Sequence, residues 1–298
     1  MDIGKELKKK KWGKVTTNIS MKDYTTYKTG GNARVLIEPS SIETLKELMT
    51  WIKENKIKYK VIGNGSNLLF SDNLFDGVII KLSKFTHLKM DGTTIEVGAG
   101  YPLIKLALKV SRLGLTGMEF AAGIPGTVGG SVFMNAGAYK SDMGYIVKKV
   151  TVLTDQLEVK ELTNKEMDFH YRTSFLQKHP DYICLEATIK LEVGDPKAII
   201  EIINDRKQRR LESQPLEYPS AGSVFRNPEG DFAGRIIEEI GYKGKRIGGA
   251  SVSTKHANFI INDKNAKSSD IKQLVEEIKE KVKEKYGIEL KVEQEYVE

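Results

Sequence analysis

The fold is decided by one glycine-dense stretch, Gly117-Met-Glu119-Phe-Ala-Ala-Gly123-Ile-Pro125-Gly126-Thr-Val-Gly129-Gly130, which continues into Met134-Asn135-Ala-Gly137-Ala-Tyr139. Glycine lets a backbone turn sharply and approach another surface closely, while Pro125 fixes one turn of the chain. So much glycine rules out regular structure throughout the stretch. A cluster of β-turns would account for the glycines but not for Asn135 just beyond them. The stretch therefore predicts a loop that lies against a flat or phosphorylated ligand.

A second glycine loop, Val61-Ile-Gly63-Asn64-Gly65-Ser66-Asn67-Leu68, lies earlier in the chain between two strand-like runs. Its backbone N–H groups can face an anion, as in a phosphate nest. The loop lacks the third glycine and the following helix of a dinucleotide-binding fingerprint, and it lacks the Gly-Lys-Ser/Thr of a P-loop. Taken alone it is typical of a tight turn. Beside the first stretch it indicates a site for a nucleotide cofactor.

Composition narrows the class of protein without identifying it. The chain has 298 residues, of which 40% are hydrophobic and 29% charged, and this allows two or three domains with their own cores. The net charge of +7 suits an anionic ligand. We expect the basic run Lys8–Lys11 to be a solvated tail rather than an RNA-contacting arm. No apolar run is long enough to span a bilayer and no signal core follows the N-terminus, so we expect a cytoplasmic protein.

Cysteine and histidine offer little chemistry in this sequence. Cys184 is the single cysteine, so no disulfide forms within the chain, and its strand-like surroundings predict a buried structural thiol. The four histidines, His87, His170, His179 and His256, show no metal-ligand spacing with Cys184 or with carboxylates. We therefore expect no metal site.

Apolar periodicity outlines the elements around the glycine loops. Ser40 and Glu43 fit a capping box that begins one helix, and Pro102 opens a second. The last long helix is predicted over 268–286, closed by Gly287. Strand-like runs alternate with these helices, so the sequence predicts an α+β fold that contains a strand–helix–strand unit.

Five further motifs lie in order along nearly the whole chain. They are Tyr24-Thr-Thr-Tyr27-Lys-Thr-Gly30-Gly-Asn32-Ala33, Tyr171-Arg172-Thr-Ser174-Phe, Pro219-Ser-Ala-Gly222-Ser223-Val-Phe-Arg226-Asn227-Pro228, Gly248-Gly-Ala-Ser-Val-Ser-Thr-Lys255-His256-Ala-Asn258-Phe and Gly287-Ile-Glu-Leu-Lys-Val-Glu293. The two glycine loops resemble the paired FAD-binding loops of the vanillyl-alcohol-oxidase (PCMH-type) fold. With the five motifs, the chain resembles the family of UDP-N-acetylenolpyruvoylglucosamine reductases. No long tyrosine-bearing insertion lies between Tyr171 and Ser223, so it is similar to the shorter, second type.

The resemblance implies a non-covalent FAD and a reaction in two halves. In this family NADPH reduces the FAD, and hydride then passes to the enolpyruvyl β-carbon of a UDP-sugar in peptidoglycan precursor synthesis. Such chemistry needs a cation at the substrate carboxylate and an acid at the α-carbon. The resemblance gives the cation to Arg172, the proton donor to Ser223, and stabilisation of the enolic intermediate to Glu293.

The resemblance also implies cofactor and substrate contacts. The cofactor-binding residues would be Gly63, Asn64, Gly65, Ser66, Asn67, Leu68, Gly123, Ile124, Pro125, Gly126, Gly129, Gly130, Asn135, Gly137, Ala138 and Tyr139, with Arg210 at the FAD diphosphate. Arg206, Lys207 and Arg209 compete with Arg210 for this role. The substrate-binding residues would be Tyr171, Asn227 and His256.

Two positions depart from the family pattern. The family often has a lysine where Ser213 precedes Gln214, which puts one expected phosphate contact in doubt. The C-terminal motif reads Leu-Lys-Val-Glu where Leu-Glu-x-Glu is common. Spacing from Gly287 favours Glu293 as the active carboxyl group, with Glu295 as the alternative.

The predicted organisation has three regions. An FAD-binding subdomain would span 1–84, with 291–298 returning to it, and a second FAD-binding subdomain would span 85–212. A C-terminal α+β substrate-binding domain would span 213–290. We expect a monomer that binds a nucleotide sugar and NADPH, binds no nucleic acid and does not insert into a membrane.

Two other classes of function stay open at this point. An FAD-linked oxidase or dehydrogenase of sugars or alcohols can share the fold, but it would leave Arg172, Ser223 and Glu293 unexplained. A basic nucleotide- or RNA-binding module fits the charge, but the sequence lacks the interleaved aromatic residues of a single-strand platform. A colourless protein would favour the module, and rapid oxygen consumption with a simple alcohol would favour the oxidase.

Overall fold

The computed structural model describes residues 2–298 of the chain. It divides into two compact units, each of which collects separate segments of the sequence. The first unit contains the residues up to Thr17 together with Arg34–Asn64 and Gly77–Lys207. The second contains Asn18–Ala33, Gly65–Asp76 and Gln208–Glu298. Each unit has an apolar core of its own.

Helices and strands alternate along most of the chain. The helices are α1 Ile3–Lys10, α2 Ile42–Glu54, α3 Leu103–Arg112, α4 Val128–Phe133, α5 Met143–Ile146, α6 Phe175–Lys178, α7 Pro196–Ser213, α8 Ala233–Glu239 and α9 Ser268–Tyr286. The strands are β1 Gly13–Ser20, β2 Asn32–Pro39, β3 Tyr59–Ile62, β4 Leu68–Phe70, β5 Phe75–Lys81, β6 Leu88–Asp91, β7 Thr94–Gly98, β8 Leu115–Thr116, β9 Gly137–Ala138, β10 Ser141–Asp142, β11 Val147–Leu153, β12 Val159–Thr163, β13 Ile183–Lys190, β14 Glu192–Val193, β15 Arg246–Ile247, β16 Ala250–Val252, β17 Ile260–Asn262 and β18 Glu295–Val297.

The two larger sheets lie wholly or mostly in the first unit. One has the strand order β1–β2–β5–β3, and its strands β3 and β5 run parallel. Helix α2 connects β2 to β3, which gives the predicted strand–helix–strand unit. The other sheet is antiparallel, with the order β12–β11–β13–β7–β6. Apolar side chains from both sheets and from helices α2 and α3 form the core of this unit.

The predicted capping box of α2 is wrong by one residue. Ser41, not Ser40, precedes the helix, because its Oγ accepts a hydrogen bond from Thr44 N (3.2 Å). The Thr44 hydroxyl in turn accepts from Ser41 N at 3.0 Å, so threonine takes the part expected of Glu43. Ser40 is instead tied to Trp12, whose carbonyl accepts from both Ser40 N and Ser40 Oγ. A tertiary contact therefore decides where the helix begins.

The second unit packs helices α8 and α9 with the antiparallel sheet β15–β16–β17. Helix α9 has the predicted bounds, and its buried stripe is the predicted one: Ile271, Leu274, Val275, Ile278 and Val282. Gly287 ends the helix at a φ of +68°, which glycine adopts without strain. Strand β18 pairs in parallel with β4, so the end of the chain lies beside the segment that follows the Gly63–Leu68 loop.

Two predictions about single segments have different outcomes. Cys184 is buried in β13, and burial raises the pKa of its thiol to about 12, as expected for a structural cysteine. The basic run Lys8–Lys11 is not a tail, because Asp2 caps helix α1 through Lys5 N and Leu7 is fully buried. The four lysines of this run are exposed. Within residues 2–298, no helix is both long enough and apolar enough to cross a membrane.

Ser41→Ala is expected to lower the free energy of unfolding by about 1 kcal/mol, because the cap of α2 loses its acceptor for Thr44 N. Ser40→Ala is the matched control, and it removes hydroxyl contacts with Trp12 O and Thr44 Oγ1 but not the cap of Thr44 N, a change worth less than about 0.5 kcal/mol at a surface site. Denaturant unfolding followed by circular dichroism measures both changes. Equal losses in the two variants would contradict Ser41 as the cap.

Candidate active site

The glycine-dense stretch folds into a short 3₁₀ turn, Glu119–Gly123, followed by α4 and β9. A side chain on Gly129 would place its Cβ 2.8 Å from Ala99 Cβ, and a side chain on Gly137 would overlap Ser141 O. The packing of the protein itself therefore requires these two glycines. Their presence is explained without a ligand.

The two glycine loops meet at Gly63. A Cβ on this residue would lie 2.6 Å from Thr127 Oγ1, which accepts the N–H of Gly130 (3.3 Å) as the cap of α4. Further along the first loop, Gly65 has a φ of +65°, and a side chain there would overlap Tyr24 O. Both glycines of the first loop are thus needed for close backbone approach.

Gly130 differs from these residues because packing does not require it. It is an exposed residue of helix α4, and an added Cβ would meet only Thr127 Oγ1, at an ordinary 3.4 Å. Glycine within a helix is less favourable than alanine by about 1 kcal/mol. The bare backbone at Gly130 leaves room for a ligand to approach closely, and this fits an FAD bound along the loops.

Non-glycine residues with left-handed backbone follow the same stretch. They include Asn135 (φ +42°), Tyr139 (φ +55°) and Arg172 (φ +54°). Such a conformation costs about 1–3 kcal/mol per residue and persists where neighbouring contacts enforce it. The Asn135 amide supplies such contacts, since its Nδ2 donates to His170 O (2.8 Å) and its Oδ1 accepts from Gly144 N (2.9 Å). Strained backbone of this kind concentrates at functional sites.

Arg172 is held against the predicted cofactor loop. Its Nη2 donates to Gly137 O at 2.7 Å, and its guanidinium carbon lies 5.1 Å from the centre of the Tyr171 ring. Tyr171 itself is half exposed. The Arg172 side chain is partly buried, and its hydrogen bond to a carbonyl of the glycine-rich segment holds it in place. These two features distinguish it from a solvated surface arginine.

The basic residues of α7 differ in what they contact. Arg210 Nε donates to Gln214 Oε1 at 3.1 Å. Arg206 lies one helical turn earlier, and its guanidinium carbon is 4.7 Å from the centre of the Tyr139 ring. The Tyr139 hydroxyl also donates to Arg206 O at 3.1 Å. The sequence analysis preferred Arg210 to Arg206 for the FAD diphosphate. The two arginines are four residues apart and therefore lie on the same face of α7. The structure places Arg206 beside Tyr139, a predicted cofactor residue.

Ser223 and Glu293 lie on paired segments of the second unit. Glu293 N donates to Val224 O at 2.8 Å, and an antiparallel bridge joins Phe225 to Val292. Ser223 is therefore one residue from the hydrogen bond that fixes Glu293, and both side chains are partly buried. Asn67, from the first glycine loop, donates from Nδ2 to Glu293 O at 3.0 Å. Two predicted catalytic residues and one predicted cofactor residue are thus brought together.

Asn227 and His256, the predicted substrate contacts of this unit, have structural partners. Asn227 is exposed, and its Oδ1 accepts from Ala233 N, the first residue of α8 (3.1 Å). His256 Nδ1 accepts from Asn258 N (3.2 Å), and burial lowers the pKa of its imidazole. The neutral ring is therefore favoured. Among residues 2–298, no group of three or more His, Cys, Asp and Glu side chains could hold a metal ion.

The fold and these loops define the class of protein, an FAD-dependent oxidoreductase. Residues 33–163 match the family described as FAD binding domain. Residues 214–297 match the C-terminal domain family of UDP-N-acetylenolpyruvoylglucosamine reductase. The predicted fold class, an FAD-binding module followed by a C-terminal α+β domain, is confirmed.

Full-length relatives identify the family. The chain is 45% identical over 293 residues to UDP-N-acetylenolpyruvoylglucosamine reductase of Bacillus subtilis (strain 168), covering 98% of this chain and 97% of the relative. It is 48% identical over 286 residues to the reductase of that name from Halalkalibacterium halodurans, covering 96% and 95%. The crystal structure of UDP-N-acetylenolpyruvylglucosamine reductase from Thermus caldophilus superposes with a TM-score of 0.82 at 34% identity, covering 96% of this chain and 99% of that chain. The chain belongs to the UDP-N-acetylenolpyruvoylglucosamine reductase family, as predicted.

Gly130→Ala is expected to weaken FAD binding by about tenfold, or 1.4 kcal/mol, while leaving the stability of the cofactor-free protein unchanged or higher. The added methyl group meets no close protein atom but occupies the space in front of the backbone. Flavin fluorescence titration and thermal unfolding measure the two quantities. Gly129→Ala is the contrast and should destabilise the protein itself, because its Cβ crowds Ala99. Wild-type FAD affinity in Gly130→Ala would contradict close approach at this residue.

The lowered pKa of His256 predicts a pH-dependent contribution to stability. This contribution is fully present above the unfolded-state pKa of about 6.5 and is lost as pH falls through the lower folded-state pKa. His256→Gln is expected to flatten the pH dependence of the unfolding midpoint below the unfolded-state pKa of about 6.5. An NMR titration that gives His256 a pKa at or above 6.5 in the folded protein would overturn this expectation.

Proposed function

We propose that this protein reduces UDP-N-acetylglucosamine enolpyruvate to UDP-N-acetylmuramate with hydride from NADPH, a step of peptidoglycan precursor synthesis. The observation that supports this proposal best is the pairing of the Ser223 and Glu293 segments in a chain that is similar over its whole length to reductases of that name. When bound, FAD would serve as the hydride carrier between the nicotinamide and the substrate.

The proton donor in this proposal is Ser223. Hydride addition at the β-carbon leaves negative charge on the α-carbon, and a serine hydroxyl is acidic enough to protonate only such a basic centre. The backbone around Ser223 is well defined. Gly222 before it has a φ of +74°, and Val224 N after it donates to Asn258 O at 2.8 Å. Ser223 thus occupies a turn whose backbone is fixed on both sides.

Arg172 and Glu293 stabilise the charged intermediate in this proposal. A guanidinium carries five N–H donors in one plane, so its contact with Gly137 O is compatible with a two-pronged contact to the substrate carboxylate. Glu293 acts in its protonated form and donates a hydrogen bond to the enolic oxygen. Its main chain is fixed at both ends, by Val224 O and by the Asn67 amide, which supports a defined side-chain position.

The remaining contacts are part of the same proposal. FAD would lie along the loops Gly63–Leu68 and Gly123–Tyr139, with Arg210 or Arg206 at its diphosphate, and Tyr171, Asn227 and His256 would contact the nucleotide sugar. The division at residues 84, 212 and 290 also stays a prediction, as do a monomeric state and a cytoplasmic location.

Anaerobic titration of the flavin-loaded protein tests the proposed function. NADPH should bleach the visible flavin absorbance, and UDP-N-acetylglucosamine enolpyruvate added next should restore it. Bleaching without recovery would contradict the proposed substrate. Absence of bleaching by NADPH would contradict NADPH as the hydride donor.

Ser223→Ala is expected to keep the bleaching rate with NADPH but to slow turnover of the enolpyruvyl sugar by about 10²–10⁴-fold, because the α-carbon loses its acid. Ser220→Ala, three residues earlier, is the matched control and should turn over normally. Stopped-flow absorbance separates the two half-reactions. If Ser223→Ala turned over within a few-fold of wild type, another group would have to supply the proton.

A further inference from the structure

The interior of the second unit contains a polar pair that the proposed reaction does not use. Tyr27 is fully buried, Gln294 is 9% exposed, and the Tyr27 hydroxyl donates to Gln294 Oε1 at 3.0 Å. Burial raises the pKa of Tyr27, so its phenol stays protonated. Placing a phenol and an amide in an apolar interior is unfavourable unless both are hydrogen-bonded. A phenylalanine and a leucine would fill similar space without that requirement, so the polar pair needs an explanation.

The other end of Gln294 points to the catalytic turn. Its Nε2 lies 3.2 Å from Ala221 O, 3.3 Å from Gly222 O and 3.4 Å from Ser223 O. The three carbonyl oxygens are acceptors, so the NH₂ end must face them and Oε1 must face the Tyr27 hydroxyl. The orientation of the amide is therefore defined by its partners at both ends.

Packing holds the buried residues Ala221 and Val224 on either side of this turn but gives Gly222 itself no side-chain contact. Gly222 has a φ of +74°, and a Cβ added to it would meet no atom within 4 Å. Between these two buried residues, the carbonyls of Gly222 and Ser223 are held by hydrogen bonds. The Gln294 amide supplies these hydrogen bonds from the interior.

Gln294 is also the residue next to Glu293. The chain bends at Gln294, which is buried, whereas the Glu293 side chain just before it is partly buried. The main chain of Glu293 is fixed by its N–H bond to Val224 O and by the Asn67 amide on its carbonyl. Gln294 thus links the segment that carries Glu293 to the backbone of Ser223.

We propose that Gln294, oriented by Tyr27, is a positioning residue that fixes the Ser223 hydroxyl relative to the Glu293 carboxyl group. Neither Tyr27 nor Gln294 touches substrate in this role. The inference rests on the proposed function, because it gives Ser223 the task of proton donation. Loss of the pair leaves the turn free to sample other conformations, and proton delivery to the α-carbon becomes slower while substrate affinity is retained.

Gln294→Leu in the flavin-loaded enzyme is the main test. A displacement of a catalytic group by about 1 Å can slow a reaction about 100-fold, so we expect kcat to fall about 10- to 100-fold with KM within about threefold of wild type. Flavin reduction by NADPH should keep its wild-type rate, because that half-reaction does not use Ser223. A loss confined to the enolpyruvyl half-reaction is a result that a merely structural role of Gln294 would not give.

Tyr27→Phe removes only the hydroxyl that orients the Gln294 amide and keeps the ring in the core. It therefore tests the proposal even if Gln294→Leu does not fold. We expect a smaller fall in kcat, about threefold to tenfold, and no further fall when Tyr27→Phe is added to Gln294→Leu, because the hydroxyl acts through Gln294. Tyr286→Phe is the matched control, since it removes the hydroxyl bond to Glu239 elsewhere in this unit. It should not change kcat.

The outcomes separate the two proposals. Wild-type protein that does not turn over the enolpyruvyl sugar would overturn the proposed function and this inference with it. Active wild type with unchanged kcat in both Gln294→Leu and Tyr27→Phe would overturn only the positioning role. Equal slowing of the NADPH half-reaction, or additive effects in the double variant, would also overturn it.

Discussion

Main-chain hydrogen bonds to the C-terminal segment, residues 291–297, are the interactions on which the second unit depends. On one side Arg226 N donates to Lys291 O and Glu293 N donates to Val224 O. Further along, β18 pairs with β4, and Ser71 N donates to Val297 O. The C-terminal segment thus joins two segments that are far apart in the sequence. Because Glu293 belongs to this segment, the interaction that completes the fold of the unit also places a catalytic candidate beside Ser223.

Close approach of backbone to backbone is the corresponding constraint in the first unit. Gly63 and Gly129 lie where a Cβ would crowd Thr127 and Ala99, so these glycines are needed to assemble the loops. Gly130 has no such close neighbour. Glycine lowers the stability of a helix relative to alanine, and at Gly130 packing does not explain why glycine is present. In the sequence the three residues look alike. The structure separates the glycines that packing requires from Gly130, which packing does not require.

Local patterns predicted the elements whose signals are local. Helix α9 and its Gly287 cap follow from apolar periodicity and a terminal glycine, and both are confirmed. The start of α2 was misplaced because Ser40 is engaged by Trp12, a residue of another segment. The catalytic candidates came from the family resemblance, since no local feature distinguishes Ser223 or Glu293 from surface residues. The contact between Tyr27 and Gln294 joins residues 267 positions apart, and neither sequence context gives a sign of it.

The buried pair of Tyr27 and Gln294 also shows how core residues can fix the conformation of a neighbouring turn as well as contribute to stability. An apolar pair at these positions would bury comparable area and avoid the desolvation of a phenol and an amide, so burial alone does not favour Tyr27 and Gln294. What an apolar pair could not do is donate hydrogen bonds to Ala221 O, Gly222 O and Ser223 O. These carbonyls belong to a turn in which a Cβ on Gly222 would meet no neighbouring atom. Directional hydrogen bonds from the interior are therefore one physical means by which this unit holds the turn at Ser223, beside the packing of Ala221 and Val224.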